Sequence, residues 1–398
     1  MNKMKKFLGV VLTVTMAVGL FTGCGAKSEE NKENGAKSDV KIAIVCDSAG
    51  QNDNGYNQSA VAGAKKVADE LGVEYKVVEP TNGVPAALET LSGDGYNVIF
   101  SLEYDFDALI KGVGGSKPIA EMYPDTTFVI FNDNPNIDAS GNVLHKNVIS
   151  VLFDVHEASY IAGALSVQAL ENADVLFAAN QYKFTPIDQG GRTIGFVGGT
   201  NSNGITVFSY GFIEGINQAA ADLGVNYDYY AKYDAGFSDP ATGSTVAGTF
   251  YNQGANLVYA VAGSVGDGVA AKAKEESKLA IHVDADKDAL QPGYILTSVI
   301  KNTEVPVYDI TKAVVEGTIS ETENLQTFSL ASGATSITDL TEIQKVLADT
   351  DEAKAKWDEI IKYLDDLKAK IGDGSIKVTN AQVGEELDTA SCTNITIK

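Results

Sequence analysis

Short apolar runs alternate with longer stretches in which apolar side chains recur every three or four positions. The runs predict strands over Lys41–Cys46, Tyr75–Val78, Asn97–Ser101, Thr127–Asn132 and Asn147–Phe153. Between the first two, Val61, Ala64, Val67, Ala68 and Leu71 fall on one face of a helix over Asn57–Leu71, and Gly72 supplies its stop. The pattern then restarts with Thr193–Val197, Asn226–Tyr230, Leu257–Val261, Leu279–Val283 and Ile295–Val299, separated by amphipathic stretches such as Ser209–Leu223. Such alternation builds parallel sheets covered on both faces, so its doubling predicts an α/β fold of two Rossmann-like lobes. Ligands of such folds sit beyond the carboxyl ends of the strands, which puts the expected site in the cleft between the lobes. The tail differs: Asp351–Ile371 carries Trp357, Ile360, Ile361, Leu364 and Leu367 on one face and ends at Gly372, a long helix expected to pack across a lobe.

The amino end follows another rule. Lys3, Lys5 and Lys6 precede an apolar run from Phe7 to Phe21, then Thr22-Gly23 and Cys24, the layout of a signal peptide over residues 1–23. The run is shorter than the ~20 residues that a helix needs to cross a bilayer core. Phe-Thr-Gly-Cys24 resembles a bacterial lipobox, in which the cysteine becomes the lipidated first residue, although Phe21 stands where leucine is usual. Residues 24–38 lack large apolar side chains and read as a flexible tether. The expected location is thus the extracytoplasmic face of a bacterial membrane, with Cys24 as the lipid anchor. Cys46 and Cys392 are the other two thiols; their spacing makes no metal motif and leaves open whether they pair.

Charge narrows the partners. The net charge of −23 becomes more negative when the leader and its lysines are removed. So acidic a chain repels phosphate backbones, and no nucleic-acid partner is expected. His145, His156 and His282 lie far apart without ligand spacing, so neither a metal nor another cofactor is expected. Gly263-Ser-Val-Gly-Asp-Gly268 lacks dinucleotide-loop spacing and reads as a tight strand-to-helix turn near a ligand. Asp284, Asp286 and Asp288 begin like a calcium loop, but Ala289 and Ile295 occupy its diagnostic sixth and twelfth places. Asp284 follows a strand end and is a candidate ligand contact. The densest polar stretch is Asp47-Ser-Ala-Gly-Gln-Asn-Asp-Asn-Gly-Tyr-Asn57, between the first strand and its helix. It brings together a carboxylate to accept hydrogen bonds, an amide that reads donors and acceptors, and an aromatic face for stacking.

From about Val40 to Gly317 the sequence resembles the basic membrane protein family of lipoproteins, which includes PnrA-like purine-nucleoside receptors of ABC transporters. The motifs are the Asp47–Asn57 stretch running on through Gln58-Ser-Ala60, Gly195-Phe-Val-Gly-Gly199 with Phe208, Gly211, Phe212 and Gly215, and Asp234-Ala-Gly-Phe-Ser-Asp-Pro240. Val261-Ala-Gly263, Val283-Asp284, Pro292-Gly293 and Leu296-Thr-Ser-Val-Ile-Lys301 follow in order. The resemblance implies a type I periplasmic-binding-protein fold that catalyses nothing, closes on a nucleoside and docks on an ABC permease. It implies that Tyr56, where the family has phenylalanine, and Phe208 cover the two faces of the base, and that Asp47 and Asn57 read its edge. Asp284, Lys301 and the backbone near Gly263 would hold the ribose, with a further aspartate at Asp107 or Asp105, in a segment that departs from the family's glycine- and phenylalanine-rich pattern. The expected lobes are 39–153 plus about 284–318, and 154–283 plus about 319–398. The competing readings are another heterocyclic cargo such as riboflavin, a nucleoside hydrolase using Asp47, Asp53 and Asp284, and an adhesin with a vestigial cleft.

Overall fold

The computed structural model describes residues 38–398 other than Tyr104. The expected signal peptide, Cys24 and nearly all of the tether lie outside them. No helix among the described residues is long and apolar enough to cross a membrane.

Among the described residues, thirteen strands form two sheets. The first contains β1 (Lys41–Val45), β2 (Glu74–Val78), β3 (Val98–Ser101), β4 (Thr127–Phe131) and β5 (Val148–Phe153), in the order β2-β1-β3-β4-β5. The second contains β6 (Thr193–Gly198), β7 (Tyr227–Lys232), β8 (Ala255–Val261), β9 (Leu279–Asp284) and β10 (Ile295–Lys301), in the matching order β7-β6-β8-β9-β10. Each sheet then gains late-arriving edges: β11 (Leu325–Phe328) beside β5, and β12 (Thr335–Ile337) and β13 (Ile395–Ile397) at the two sides of the second sheet. Every pairing is parallel except β10 with β12. Central strands such as Ile42–Val45 and Ala255–Val261 are buried throughout, because helices cover both faces.

The longer helices are α1 (Tyr56–Leu71), α2 (Val84–Gly93), α3 (Val155–Glu171), α4 (Asn203–Leu223), α5 (Pro240–Asn252), α6 (Ser264–Glu276), α7 (Glu304–Glu316) and α8 (Asp351–Gly372). Gly72 ends α1 with φ of 70°, a left-handed cap that only glycine adopts freely. At the start of α5, Asp239 accepts from the N–H groups of Ala241 and Thr242, and Pro240 fills the first helical position, where an N–H has no partner to lose. The expected tail helix is α8; it buries Trp357, Ile360, Leu364 and Leu367 and packs on α3.

The chain crosses between the sheets three times: after β5, after β10 and after β11. This moves two of the expected lobe limits. Ile295–Lys301, expected with the first lobe, pairs with β9 in the second sheet, and Leu325–Phe328, expected with the second, pairs with β5 in the first. Periodicity marks a strand but carries no address. The partner is chosen by exposed backbone edges, and β9 and β5 each offer one. Between the last two crossings α7 packs on α1, where the Thr303 hydroxyl donates to the Tyr56 carbonyl oxygen at 2.7 Å and the Glu304 N–H to Ser59 Oγ at 3.1 Å.

Candidate functional site

The carboxyl ends of both sheets converge on one cleft. The first lobe contributes Asp47 and Ala49 just beyond β1, Asp53, and Tyr56 at the start of α1. The second contributes Gly204, Ile205 and Phe208 from the first turns of α4, Phe237 from the loop before α5, Val261 at the end of β8 with Ala262 and Gly263 just beyond it, Val283 and Asp284 at the end of β9, and Lys301 at the end of β10. The space among them, its open mouth included, is about 520 Å³.

Asp47 is half-buried, and burial raises its carboxyl above the ordinary value, opposed by hydrogen bonds from Asn57 and from the Ala49 N–H. Asp284 caps β9 with φ of 76°, a left-handed conformation that costs a non-glycine residue energy and is tolerated where the surroundings enforce it. Its carboxyl is also raised by burial, against the pull of Lys301 and Lys287. β9 and β10 are neighbours with Asp284 beside Ile300, which sets Asp284 next to Lys301. The Lys301 side chain is 4% exposed, and burial lowers its amine to about 8 although Asp284 and Asp47 both favour the charge.

The amine lies 5.0 Å from the ring centre of Tyr56, 5.4 Å from Phe153 and 5.8 Å from Phe208. One of these rings belongs to the start of α1, one ends β5 at a crossing, and one comes from the second lobe. Tyr56 stands edge-on to Phe131, which stacks near Phe153, and Phe153 meets Phe328 at 5.7 Å, so an aromatic file runs from the cleft to two crossings. The Tyr56 hydroxyl faces its own lobe, donating to the Leu102 carbonyl and accepting from Asn132 Nδ2 at 2.8 Å. Phe208 lines the cleft, whereas Phe212 one turn later packs in the core on Tyr229 and Tyr259. Phe208 and Phe212 thus have different destinations despite sharing a helical face.

Gly263 has φ of 51°, and a β-carbon there would stand 2.8 Å from the Phe237 carbonyl oxygen. Its glycine serves a close backbone approach at the start of α6. Gly55 is a second tight place: a β-carbon would lie 3.2 Å from that of Asp284 and 3.3 Å from Lys287 Nζ. The first-lobe loop and the second-lobe strand end touch there.

Of the residues singled out in the sequence, Asp47, Tyr56, Phe208, Gly263, Asp284 and Lys301 line this cleft. Asn57 stands behind it, bonded to Asp47. Asp107 does not line it; its carboxylate opens a short helix, Asp107–Ile110, and pairs with exposed Lys111 at 3.0 Å. Asp105 is exposed and also outside the lining. Sequence reasoning gave no ligand role to Ala49, Gly204, Ile205 or Phe237; the Asp47–Asn57 and Asp234–Pro240 motifs, which contain Ala49 and Phe237, were the visible signals. Cys46 and Cys392 are both buried and free, so they do not pair, and burial pushes the Cys46 thiol up to about 12. The described residues hold no cluster of three metal-ligating side chains. His282 instead contacts Asp267 at 3.0 Å, and Asp288 accepts from the hydroxyls of Ser298 and Thr338.

Comparison with known proteins agrees with this architecture. Residues 40–380 match the family described as ABC transporter substrate-binding protein PnrA-like. An ABC transporter nucleoside-binding protein, BmpA, of Lactococcus lactis subsp. cremoris is 28% identical over 338 residues, covering 79% of this chain and 86% of its own. An uncharacterized lipoprotein of Pyrococcus abyssi is 28% identical over 323 residues, covering 78% and 72%. The crystal structure of an ABC transporter solute-binding protein from Aeropyrum pernix K1 aligns with a TM-score of 0.68 at 22% identity, covering 86% of this chain and 93% of that one. That likeness concerns the fold, which is of the type I periplasmic-binding-protein class.

Proposed function

The chain belongs to the PnrA-like family of ABC-transporter substrate-binding proteins, and on that premise we propose that its cleft binds a purine nucleoside such as guanosine, inosine or adenosine. The observation that carries this reading is the pairing of Tyr56 from one lobe with Phe208 from the other, in a cleft that also holds Asp47, Asp284 and Lys301. Two aromatic faces suit a flat base, and stacking contributes ~1–3 kcal/mol per base. Carboxylates and an amine suit the donors and acceptors of a base edge and a ribose, through charge-assisted hydrogen bonds. The name of the Lactococcus relative, a nucleoside-binding protein, points the same way.

Thermal unfolding with nucleosides, free bases, riboflavin and sugars tests it. A ligand present at 100 times its dissociation constant adds about 2.7 kcal/mol to the folded state, enough to raise the midpoint by degrees. Purine nucleosides should raise the midpoint and sugars should not. Tyr56→Ala and Phe208→Ala should each weaken nucleoside binding by about 5- to 150-fold. A shift from riboflavin alone, or from nothing in the panel, would reject the nucleoside reading.

The same proposal includes export and anchoring at Cys24, which brings the receptor to the outer face of a bacterial membrane beside its permease. The residues before the folded body and the lipoprotein name of the Pyrococcus relative support it. Cys24→Ser should shift the protein from the membrane fraction to the soluble one; unchanged membrane retention would argue against a lipid anchor.

A further inference from the structure

We propose that Asn57 and Asp53 are positioning residues, which hold Asp47 so that one of its oxygens accepts an N–H from the edge of the base; this rests on the nucleoside reading above. Asn57 is fully buried. Its Nδ2 donates to Asp47 Oδ1 at 2.6 Å and to Asp53 Oδ2 at 3.0 Å, while its Oδ1 accepts from the Asp47 N–H at 3.0 Å. A carboxamide has two hydrogens to give, so Asn57 has none left for a ligand.

Asp53 is equally occupied. Its Oδ1 accepts from the N–H groups of Gly55 and Gln58, each at 3.0 Å, and its Oδ2 from the Asn57 N–H at 2.9 Å in addition to the side-chain amide. Gly55, at the cap of α1, has no side chain to satisfy the first turn, and Asp53 does so in its place. A file of side chains results: the first turn of α1 fixes Asp53, Asp53 fixes Asn57, and Asn57 fixes Asp47 from behind.

At Asp47 the consequence is an asymmetric carboxylate. Oδ1 is filled by Asn57 and by the Ala49 N–H at 2.9 Å, whereas Oδ2 accepts no hydrogen bond from the described residues, and Asp47 lines the cleft. One open acceptor separates bases that bring an N–H from bases that bring none. Inosine and guanosine carry N1–H and adenosine carries an exocyclic amine, whereas purine riboside carries no donor on that edge. The site therefore favours the first three over the fourth.

The test is calorimetric titration of the full chain and of Asp53→Asn and Asn57→Ala with inosine and with purine riboside. An amide in place of Asp53 accepts at one end only, so part of the file loses its anchor while the shape is kept. Wild-type protein should prefer inosine by about 10- to 150-fold, the value of a hydrogen bond to a charged group. Each variant should narrow that ratio to about twofold, chiefly through weaker inosine binding. If Asn57→Ala fails to fold, the ratio in Asp53→Asn decides. Folded variants that keep the wild-type ratio, or that lose both nucleosides by the same factor, overturn the positioning role alone. Wild-type protein that binds both nucleosides equally overturns the reading of Asp47, and wild-type protein that binds neither overturns the nucleoside reading and this proposal with it.

Discussion

The amine of Lys301 is pulled two ways, since burial favours its neutral form and the carboxylates of Asp284 and Asp47 favour the charge. Burial wins, and the group titrates at about 8 rather than at its ordinary 10.5. If the charged amine grips the ribose, nucleoside affinity should fall by about tenfold as pH rises through 8, and Lys301→Met should flatten that profile in titrations from pH 7 to 9.5. Unliganded stability moves the opposite way. Between about 8 and 10.5 the unfolded chain binds a proton that the folded chain has released, so this lysine makes folding more favourable as pH rises. Buried Lys278, also lowered to about 8 by burial, contributes with the same sign, so Lys301→Met should reduce the stability slope without abolishing it. Asp47, Tyr56, Phe208, Asp284 and Lys301 were legible as candidates because each stands at a strand end or helix start within a recognisable motif. The state of Asn57 was not, since a sequence does not say which way an amide spends its hydrogens. Asp107 stands outside the cleft lining, and residues 101–107 have no periodicity that fixes which way a side chain points.

Helices α3 and α4 pack closely against each other, and glycines make the contact. A β-carbon on Gly211 would collide with the His156 carbonyl oxygen, one on Gly215 with that of Tyr160, and one on Gly163 with that of Phe212. Backbone that close leaves no space for a methyl group, so Gly211→Ala should cost ~1–3 kcal/mol in a denaturant titration and displace Phe208, one turn earlier, enough to weaken ligand binding. The strands β1 to β10 were readable as short apolar runs, and α1, the second half of α4 and α8 as periodic stretches long enough for the helical repeat to show. β11, β12 and β13 were not. They are four, three and three residues long, and β11 and β13 are largely exposed, so neither alternation nor an apolar run distinguishes them from loop.

For the molecule as a whole, the approach of Gly55 to Asp284 and Lys287 makes the two lobes' separation sensitive to a single side chain. Gly55→Val should prop the lobes apart. Its expected signature is a loss of about tenfold in ligand affinity, equivalent to ~1.4 kcal/mol against closure, with the unliganded unfolding midpoint unchanged. A midpoint that falls together with affinity would locate the damage in the fold of the first lobe instead. The late pairing of β11 with β5 has a different reach, in time rather than in space. The first sheet has its sixth strand only when Phe328 of 398 residues has been made, and α7, which covers α1, arrives just before it. A polypeptide that emerges amino end first therefore exposes an unfinished edge and an uncovered helix for most of its synthesis, so the first lobe is completed late.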